Sequence, residues 1–445
     1  MEVSLNKDDM NESSGTRRVG IIGAGVAGLA AAYDLTRQGY AVTLFEGAAV
    51  AGGLASGFKA ATWEWPLERF YHHLFTSDSD IIRLTQEIGA GDLLLFRRPT
   101  TSMWYQGKPY AFDSPLRLLA FPHLDWINKF RMGFVFAYLR YVSKNWRAFE
   151  QTTSHVWLHR WMGARGYDML WRPMLEGKFS DHYQEVNLAW FWARIVKRSP
   201  RLGYYKGGFQ AFVDALVNRV TAQGADIHLN ARVTNVRPSA DRTLVVTHDG
   251  GQAAFDAVIA TVSPSLLMRL APDLPPAYLA QLGQLKSMGA VVMTLALKHS
   301  LMKDVYWLNI PKAEGFPFLA LVEHTNYMEA AHYGGDHIIY LGDYLDPSHP
   351  YFSMSDQQLL DIFLPALARV NPDFRPDWVR EAWVHKAAYA QPVPPVNYSA
   401  LIPPLQTPIP GLFFASMSQV YPWDRGTNYA VEIGRQVAKK VIAAG

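Results

Sequence analysis

Arg18-Val-Gly-Ile-Ile-Gly23-Ala-Gly25-Val-Ala-Gly28-Leu-Ala-Ala-Ala decides the fold. An aliphatic run meets three glycines in the order GxGxxG, a small-residue helix follows, and a second apolar run, Ala41 to Phe45, ends on Glu46. That order is a dinucleotide-binding βαβ unit. Gly23 permits the tight turn after the strand, and Gly25 lets the backbone approach a pyrophosphate. Gly28, with Ala27, Ala30 and Ala31, lets the helix pack closely on the sheet. Ala24 and Val26 complete the expected cofactor loop, whose free N–H groups and helix-dipole end favour the anion. Gly39 suits the position just past the helix end, and Glu46 stands where a carboxylate accepts hydrogen bonds from ribose hydroxyls.

Six and seven residues beyond Glu46 stands a second glycine pair, Gly52-Gly53, followed by Leu54-Ala55. Glycine tolerates the backbone conformations that turn the chain back beneath a pyrophosphate and close to a flavin, so the pair selects FAD over NAD. At this point the chain resembles the flavin-containing superfamily of amine oxidases, protoporphyrinogen oxidases, phytoene and squalene-type desaturases and UDP-galactopyranose mutase. The resemblance returns twice. Gly207-Gly208-Phe209 opens an amphipathic helix, and apolar runs follow at Ala225 to Leu229, Arg232 to Val236 and Phe255 to Ala260. In the family this stretch closes the cofactor domain, and the position matching Val233 meets the adenine through its backbone. Ile409 to Ala415, then a helix from about Gly426, looks like the family's C-terminal flavin segment.

The resemblance implies an α/β fold, a Rossmann-like FAD-binding domain interleaved with an α+β substrate-binding domain. The FAD-binding parts are expected at 17–75, 205–284 and 391–445, and the substrate domain at 76–204, which is helical and aromatic, and at 285–390. Residues 1–16 read as a disordered tail. Departures from the family pattern are equally informative. Amine-oxidising members usually carry arginines beside the glycine pair, where this chain has Val50 and Leu54; an Asp after the last strand, where it has Ser416; and a lysine near the flavin, where it has Met293. Ser416 can donate a hydrogen bond to the cofactor but brings no charge. Amine oxidation is thereby disfavoured, and Leu54-Ala55 looks like the desaturase and mutase branches.

At 445 residues the chain is long enough for two cores, with an ordinary globular mixture of apolar and charged residues and a formal charge of +3. It has no cysteine, which excludes disulfides, thiolate metal sites, cysteine nucleophiles and a flavin tethered through cysteine, so FAD is expected to be noncovalent. Met1 to Arg18 is polar and of mixed charge, so a cytoplasmic location is expected, and no run approaches the roughly 18 apolar residues of a membrane span. Prolines crowd residues 392–410, where they prevent a continuous helix and suggest an extended connector.

Residues 115–172 combine many aromatic rings with bases such as Arg117, Lys129, Arg140, Lys144 and Arg147. Phe130, Phe134, Phe136, Ala137, Tyr141 and Val142 recur at roughly helical spacing. Two fates fit this pattern. The rings can form the substrate-domain core with the bases as a solvated face, or they can lie in an anionic membrane interface as a peripheral contact. Nucleic acid is excluded as a partner because no recognition motif accompanies the bases.

Two clusters carry candidate chemistry. Glu68-Arg-Phe-Tyr71-His72-His73 follows the glycine pair; in relatives such a stretch approaches the isoalloxazine ring and resembles the histidine-containing loop of the mutases. Tyr71 is a candidate cofactor contact, while His72 or His73 could move a proton or orient substrate. The alternative for the histidines is to satisfy backbone carbonyls. They make no metal pair, because adjacent side chains diverge and no third ligand has a recognisable spacing. The second cluster runs from Ser416 through Tyr421, Asp424 and Arg425 to Thr427-Asn428-Tyr429. Amides at the start of a helix from Gly426 could face the flavin edge and favour negative charge there. Asp424 is either a helix cap or a ligand to cofactor or substrate. Tyr421 and Arg425 are substrate contacts, or else a packed ring and a salt bridge.

Three functions remain open at this stage. One is FAD-dependent oxidation or reduction at C–C or C–H bonds of a hydrophobic or amphipathic substrate, isoprenoid, lipid-linked or porphyrinogen-like. Another is a non-redox mutase, which needs arginines on a nucleotide diphosphate, for which Arg194, Arg198 and Arg201 are candidates. The third is a non-catalytic prenyl- or lipid-binding protein of the same fold, which the intact glycines and Glu46 disfavour.

Overall fold

Five short parallel strands carry the glycine motif in this computed structural model, which describes residues 16–444. Apart from its last residue, the expected tail lies outside them. The sheet runs, in spatial order, Asp226–His228, Ala41–Phe45, Arg18–Ile22, Ala257–Ala260 and Leu412–Phe414, so three distant stretches of chain build it. Its central strands are apolar on both faces because both are covered, as a parallel sheet requires. The Val26–Arg37, Gly208–Ala222 and Thr427–Ala443 helices cover one face. A three-stranded antiparallel sheet over residues 233–255 and the Pro264–Leu270 helix cover the other.

Close packing explains two glycines here. A Cβ on Gly28 would lie 2.0 Å from the Gly23 carbonyl oxygen, and one on Gly434 would lie 2.3 Å from that of Ala27. The first brings the Val26–Arg37 helix down on the turn it leaves; the second lets the last helix cross it. Gly39, at φ +81°, is the expected left-handed residue past the helix end.

A seven-stranded mixed sheet forms a second layer. Its longest pairings, at one edge, join Val379–Pro392, Ser287–Leu297 and His337–Leu345, and it continues through Ala320–Glu323, Trp307–Asn309, Thr101–Tyr105 and Lys108–Ala111. One face packs on the Asp356–Val370 helix through Met293, Leu341 and Phe363. Residues 115–197 add a mostly helical layer around Met132, Leu158, Phe179 and Phe191. The proline-rich connector is ordered and extended: Asn187 donates its N–H to the Pro394 carbonyl at 2.9 Å, and Val393 donates to Lys286 at 3.0 Å.

Candidate FAD site and substrate cavity

The pyrophosphate end is made of backbone. Gly23, at φ +100°, donates to the Phe45 carbonyl at 2.8 Å, and the helix then starts at Val26 with no side chain capping its first amides. Gly52 donates to the Ala24 carbonyl at 2.9 Å and bridges to Gly25, which lays the second glycine pair against the first loop. Gly52 and Gly53 both have positive φ, +119° and +58°, which only glycine adopts freely. A Cβ on Gly25 would meet nothing nearer than the Gly53 Cα at 3.9 Å, so the space above this loop is open. Leu54 and Ala55 complete the short turn after the pair.

Glu46 closes this cradle from beneath. One carboxylate oxygen accepts from the Ala24 N–H and the other from Ala48, both at 2.9 Å, which fixes the loop and leaves lone pairs for ribose hydroxyls. Its carbonyl accepts from Ala231 at 2.8 Å, bringing the strand that starts at Val233 to the same edge. Beyond the Leu412–Phe414 strand, the Ser416 hydroxyl is buried and has no hydrogen-bond partner among the described residues. An open glycine cradle and an orphaned buried hydroxyl at the carboxyl ends of these strands are features that FAD satisfies, so the residues present fit the group.

A cavity of about 260 Å³ adjoins the start of the last helix. Its walls are Tyr71 to Phe75, the Arg172–Phe179 and Leu188–Lys197 helices, the near face of the seven-stranded sheet at Trp307, Asn309 and Gly342, and Asp424 to Tyr429. Gly342 gives Tyr71 its place, since a Cβ there would lie 3.0 Å from the ring. Burial pushes the Tyr71 hydroxyl up to about 12. His72 donates from Nδ1 to the Phe70 carbonyl at 2.5 Å, which leaves Nε2 with the free lone pair in the neutral ring. Burial, against that hydrogen bond, pulls its pKa down to about 4. His73 packs edge-on against Phe75 and Trp307, and burial with Arg198 and other nearby cations pulls it down to about 3. Both histidines are therefore neutral at physiological pH.

The cavity is strongly cationic. Lys178, Arg194, Lys197, Arg198 and Arg425 line it, against the carboxylates of Asp78 and Asp424. Asp424 is already spent: it pairs with Arg194, lies 3.4 Å from Lys178 Nζ, and accepts from Trp190 at 3.0 Å and Gln391 at 3.3 Å. Burial raises its pKa, but the Lys178 and Arg194 charges and these donors outweigh burial and hold it at about 2. Burial and Arg194 drive Lys178 the other way, well below the usual lysine range, with Asp424 opposing. Arg425 meets only neutral groups, donating to Gln391 Oε1 at 2.8 Å and to the Tyr344 hydroxyl, over whose ring it lies. Asp78 accepts from the Phe75 N–H at 2.8 Å, and burial raises its carboxyl to about 6.

The structure thus brings Tyr71, His72, His73, Asp424, Arg425, Thr427, Asn428 and Tyr429 to one cavity, with Arg194 and Arg198 but not Arg201 among the lining residues. Asp424 is not a helix cap, since the cap is Gly426 and the carboxylate is held by cations on other elements. Tyr421 lies outside the cavity, its ring packed edge-on against Trp146 and Tyr398. Asn428 spends its side-chain oxygen on the Asp80 and Ile81 amides, at 2.9 and 3.1 Å, so that oxygen caps the Ser79–Glu87 helix. Met293 points away from the cavity into the core beneath the Asp356–Val370 helix. Val292, paired with Gly342 and His385, is on the opposite face, so the familiar lysine position is empty of charge in either register. Lys178, Lys197, Gln391 and Tyr344 escaped sequence reasoning, because nothing in their local sequence distinguishes them from ordinary helix and strand residues.

The fold and the cradle define a flavoprotein with a Rossmann-like FAD-binding domain. The sequence model described as "Flavin containing amine oxidoreductase" matches residues 26–442, and the chain belongs to that family, whose cofactor is FAD. A Mycobacterium tuberculosis (strain H37Rv) protein named as a flavin-containing monoamine oxidase, AofH, is 26% identical over 275 residues, 58% of this chain and 60% of that protein. The chain thus matches about three fifths of the length of such curated relatives. Among solved structures, one from Exiguobacterium sp. 255-15, named as a protoporphyrinogen oxidase, superposes with TM-score 0.75 at 16% identity, covering 96% of this chain and 99% of that one. Reduced UDP-galactopyranose mutase gives 0.72 at 16% identity, covering 97% and 96%. Cyclohexylamine oxidase from Brevibacterium oxydans IH-35A gives 0.71 at 16%, covering 96% and 99%. At these identities the structures share the fold.

Proposed function

We propose that the protein is an FAD-dependent oxidoreductase acting at a C–C or C–H bond of an amphipathic substrate whose polar end is anionic. The observation that carries this reading is the excess of basic side chains in the cavity: Arg194, Lys197, Arg198 and Arg425 line it with Lys178, against the two carboxylates of Asp78 and Asp424, the second already held by Lys178 and Arg194. A protonated amine would enter against that field, which disfavours the amine oxidation that the relatives' names suggest. When bound, FAD supplies two-electron exchange at its N5 atom.

The chain's own residues divide the remaining work. Arg425 and Arg198 hold the anionic end, because neither pairs with a carboxylate among the described residues and an arginine fork suits planar oxyanions. Met103, Met174, Ile310 and Leu319 line the apolar wall and exclude water from the substrate body. His72 Nε2, neutral and fixed by the Nδ1 bond to Phe70, accepts the proton released as substrate is oxidised. The N-terminal amides at Thr427 and Asn428 favour negative charge at the cavity edge.

A second reading, a non-redox mutase, has one observation in its favour: Arg194 and Arg198 stand together on the cavity wall, and a mutase needs arginines on a nucleotide diphosphate. Anaerobic mixing separates the two. An oxidoreductase bleaches the oxidised flavin, or reoxidises reduced flavin, when it meets its anionic amphipathic substrate; His72→Gln slows that step by about 10²–10⁴-fold. Turnover only after prior chemical reduction, with the flavin reduced throughout, would replace the first reading with the second.

A further inference from the structure

The large apolar side chains left facing solvent are concentrated in one region. Among the described residues, ten of the twelve fall between Leu116 and Trp161. The Trp126–Ala137 helix is apolar on two sides. Its inward stripe, Met132 and Val135 continued by Leu139, is buried, while the opposite stripe carries Ile127, Phe130 and Phe134 at 72%, 70% and 66% exposure, continued by Tyr141 at 73%. The spacing of three, four and seven residues puts these four on one face. Of the two fates open to Phe130, Phe134, Tyr141 and Val142, core burial does not occur, because the opposite stripe already fills the core.

Charge tells what covers this face. Residues 116–161 contain seven lysines and arginines and two acids. Both acids have partners within the chain: half-exposed Asp125 caps the helix at Asn128, 3.0 Å away, and faces Arg165, while buried Glu150 holds Ser399 at 2.8 Å. Three of the six exposed bases lie beside rings: Arg147 over Trp146 at 4.5 Å, Arg160 over Trp161 at 5.8 Å and Arg140 over Tyr141 at 5.9 Å. Rings with cationic heads beside them suit the boundary between acyl chains and phosphate headgroups. A second copy of the chain would bring the same positive face against it, so self-association is opposed.

We propose that this face docks on an anionic lipid bilayer. No helix among the described residues is long and apolar enough to cross one. One residue ties the docking face to the cavity: Arg140 donates to the carbonyls of Ile195 at 2.8 Å and Arg198 at 3.3 Å, at the end of the helix that carries Arg194 into the cavity.

Flotation of the FAD-loaded protein with vesicles tests this without any knowledge of the substrate. The protein floats with vesicles of phosphatidylcholine containing phosphatidylserine at low salt, releases at high salt as ions screen the bases, and binds pure phosphatidylcholine far less. Replacing Ile127, Phe130 and Phe134 together by serine lowers vesicle binding at least about tenfold while the flavin spectrum is kept. The separate charge-reversal variant Arg117→Glu, Lys144→Glu, Arg147→Glu and Arg160→Glu, made only of exposed side chains, abolishes the preference for anionic lipid. No flotation at low salt would overturn the proposal. So would a parent protein that is oligomeric in solution and becomes monomeric in the serine variant, because the face would then belong to a second copy.

Discussion

The cradle beside Gly25 and the cavity beside Arg425 are built by opposite means. The cradle is backbone: glycines at positive φ, uncapped amides at a helix start, and one carboxylate that braces the loop. The cavity is side chains: cations from two helices and a loop, one buried acid between them, and two neutral histidines. A backbone site needs a fixed local order of residues and admits little change. A side-chain site needs only that charges meet in space, so its members come from residues 72 to 425 in no local pattern, and its chemistry can vary within one fold.

The sharpest contrast is expected within the glycines themselves. Gly25→Val leaves secondary structure intact by circular dichroism and removes FAD binding, because the side chain enters the open cradle. Gly28→Val fails to yield folded protein, since even a Cβ would lie 2.0 Å from the Gly23 oxygen. Equal behaviour of the two variants would mean that the cradle is not a binding surface. Next in size is Asp424→Ala, which leaves Lys178 and Arg194 without their shared partner and costs roughly 3–5 kcal/mol in urea unfolding. A loss under about 1 kcal/mol would show that solvent already screens this ion cluster.

Acid stability sharpens the comparison from the cavity side. His72 and His73 have folded pKa values lowered from 6.5 to about 4 and about 3, so the unfolded chain binds protons that the folded chain refuses. Their neutral forms impose no penalty above pH 6.5, and stability falls as pH drops from 6.5 towards 4. His72→Gln and His73→Gln should each flatten that slope in urea midpoints measured across this window. An unchanged slope in both would place the titrating groups elsewhere. The smallest effect is expected at Tyr421, where Phe should leave the rate of flavin reduction within about twofold, because the ring packs outside the cavity and its hydroxyl makes no hydrogen bond among the described residues.

Legibility in the sequence follows the same division. The first βαβ unit, the glycine pair, the Ser287–Leu297 strand and the last helix are all readable, because turn geometry and apolar runs are local signals. Gly208 and Phe209 were readable as a helix start; that buried Glu68 would bind the Phe209 amide at 2.5 Å and tie two distant segments together was not. Lys178 sits in a short helix of unremarkable composition, and only packing beside Asp424 separates it from a surface lysine. The aromatic stretch at 126–142 shows a helix plainly, but periodicity cannot reveal that both of its faces are apolar and only one is covered.

The central claim, that the cavity beside FAD receives an anion, is tested most directly by titrating the oxidised, FAD-loaded protein with a long-chain carboxylate and with the amine of the same chain length, following the flavin spectrum. The account predicts that the carboxylate perturbs the spectrum at a concentration at least about tenfold lower than the amine, and that Arg425→Met weakens it by about ten- to a hundredfold, the worth of a charge-assisted hydrogen bond. Tighter binding of the amine, unaffected by Arg425→Met, would contradict it.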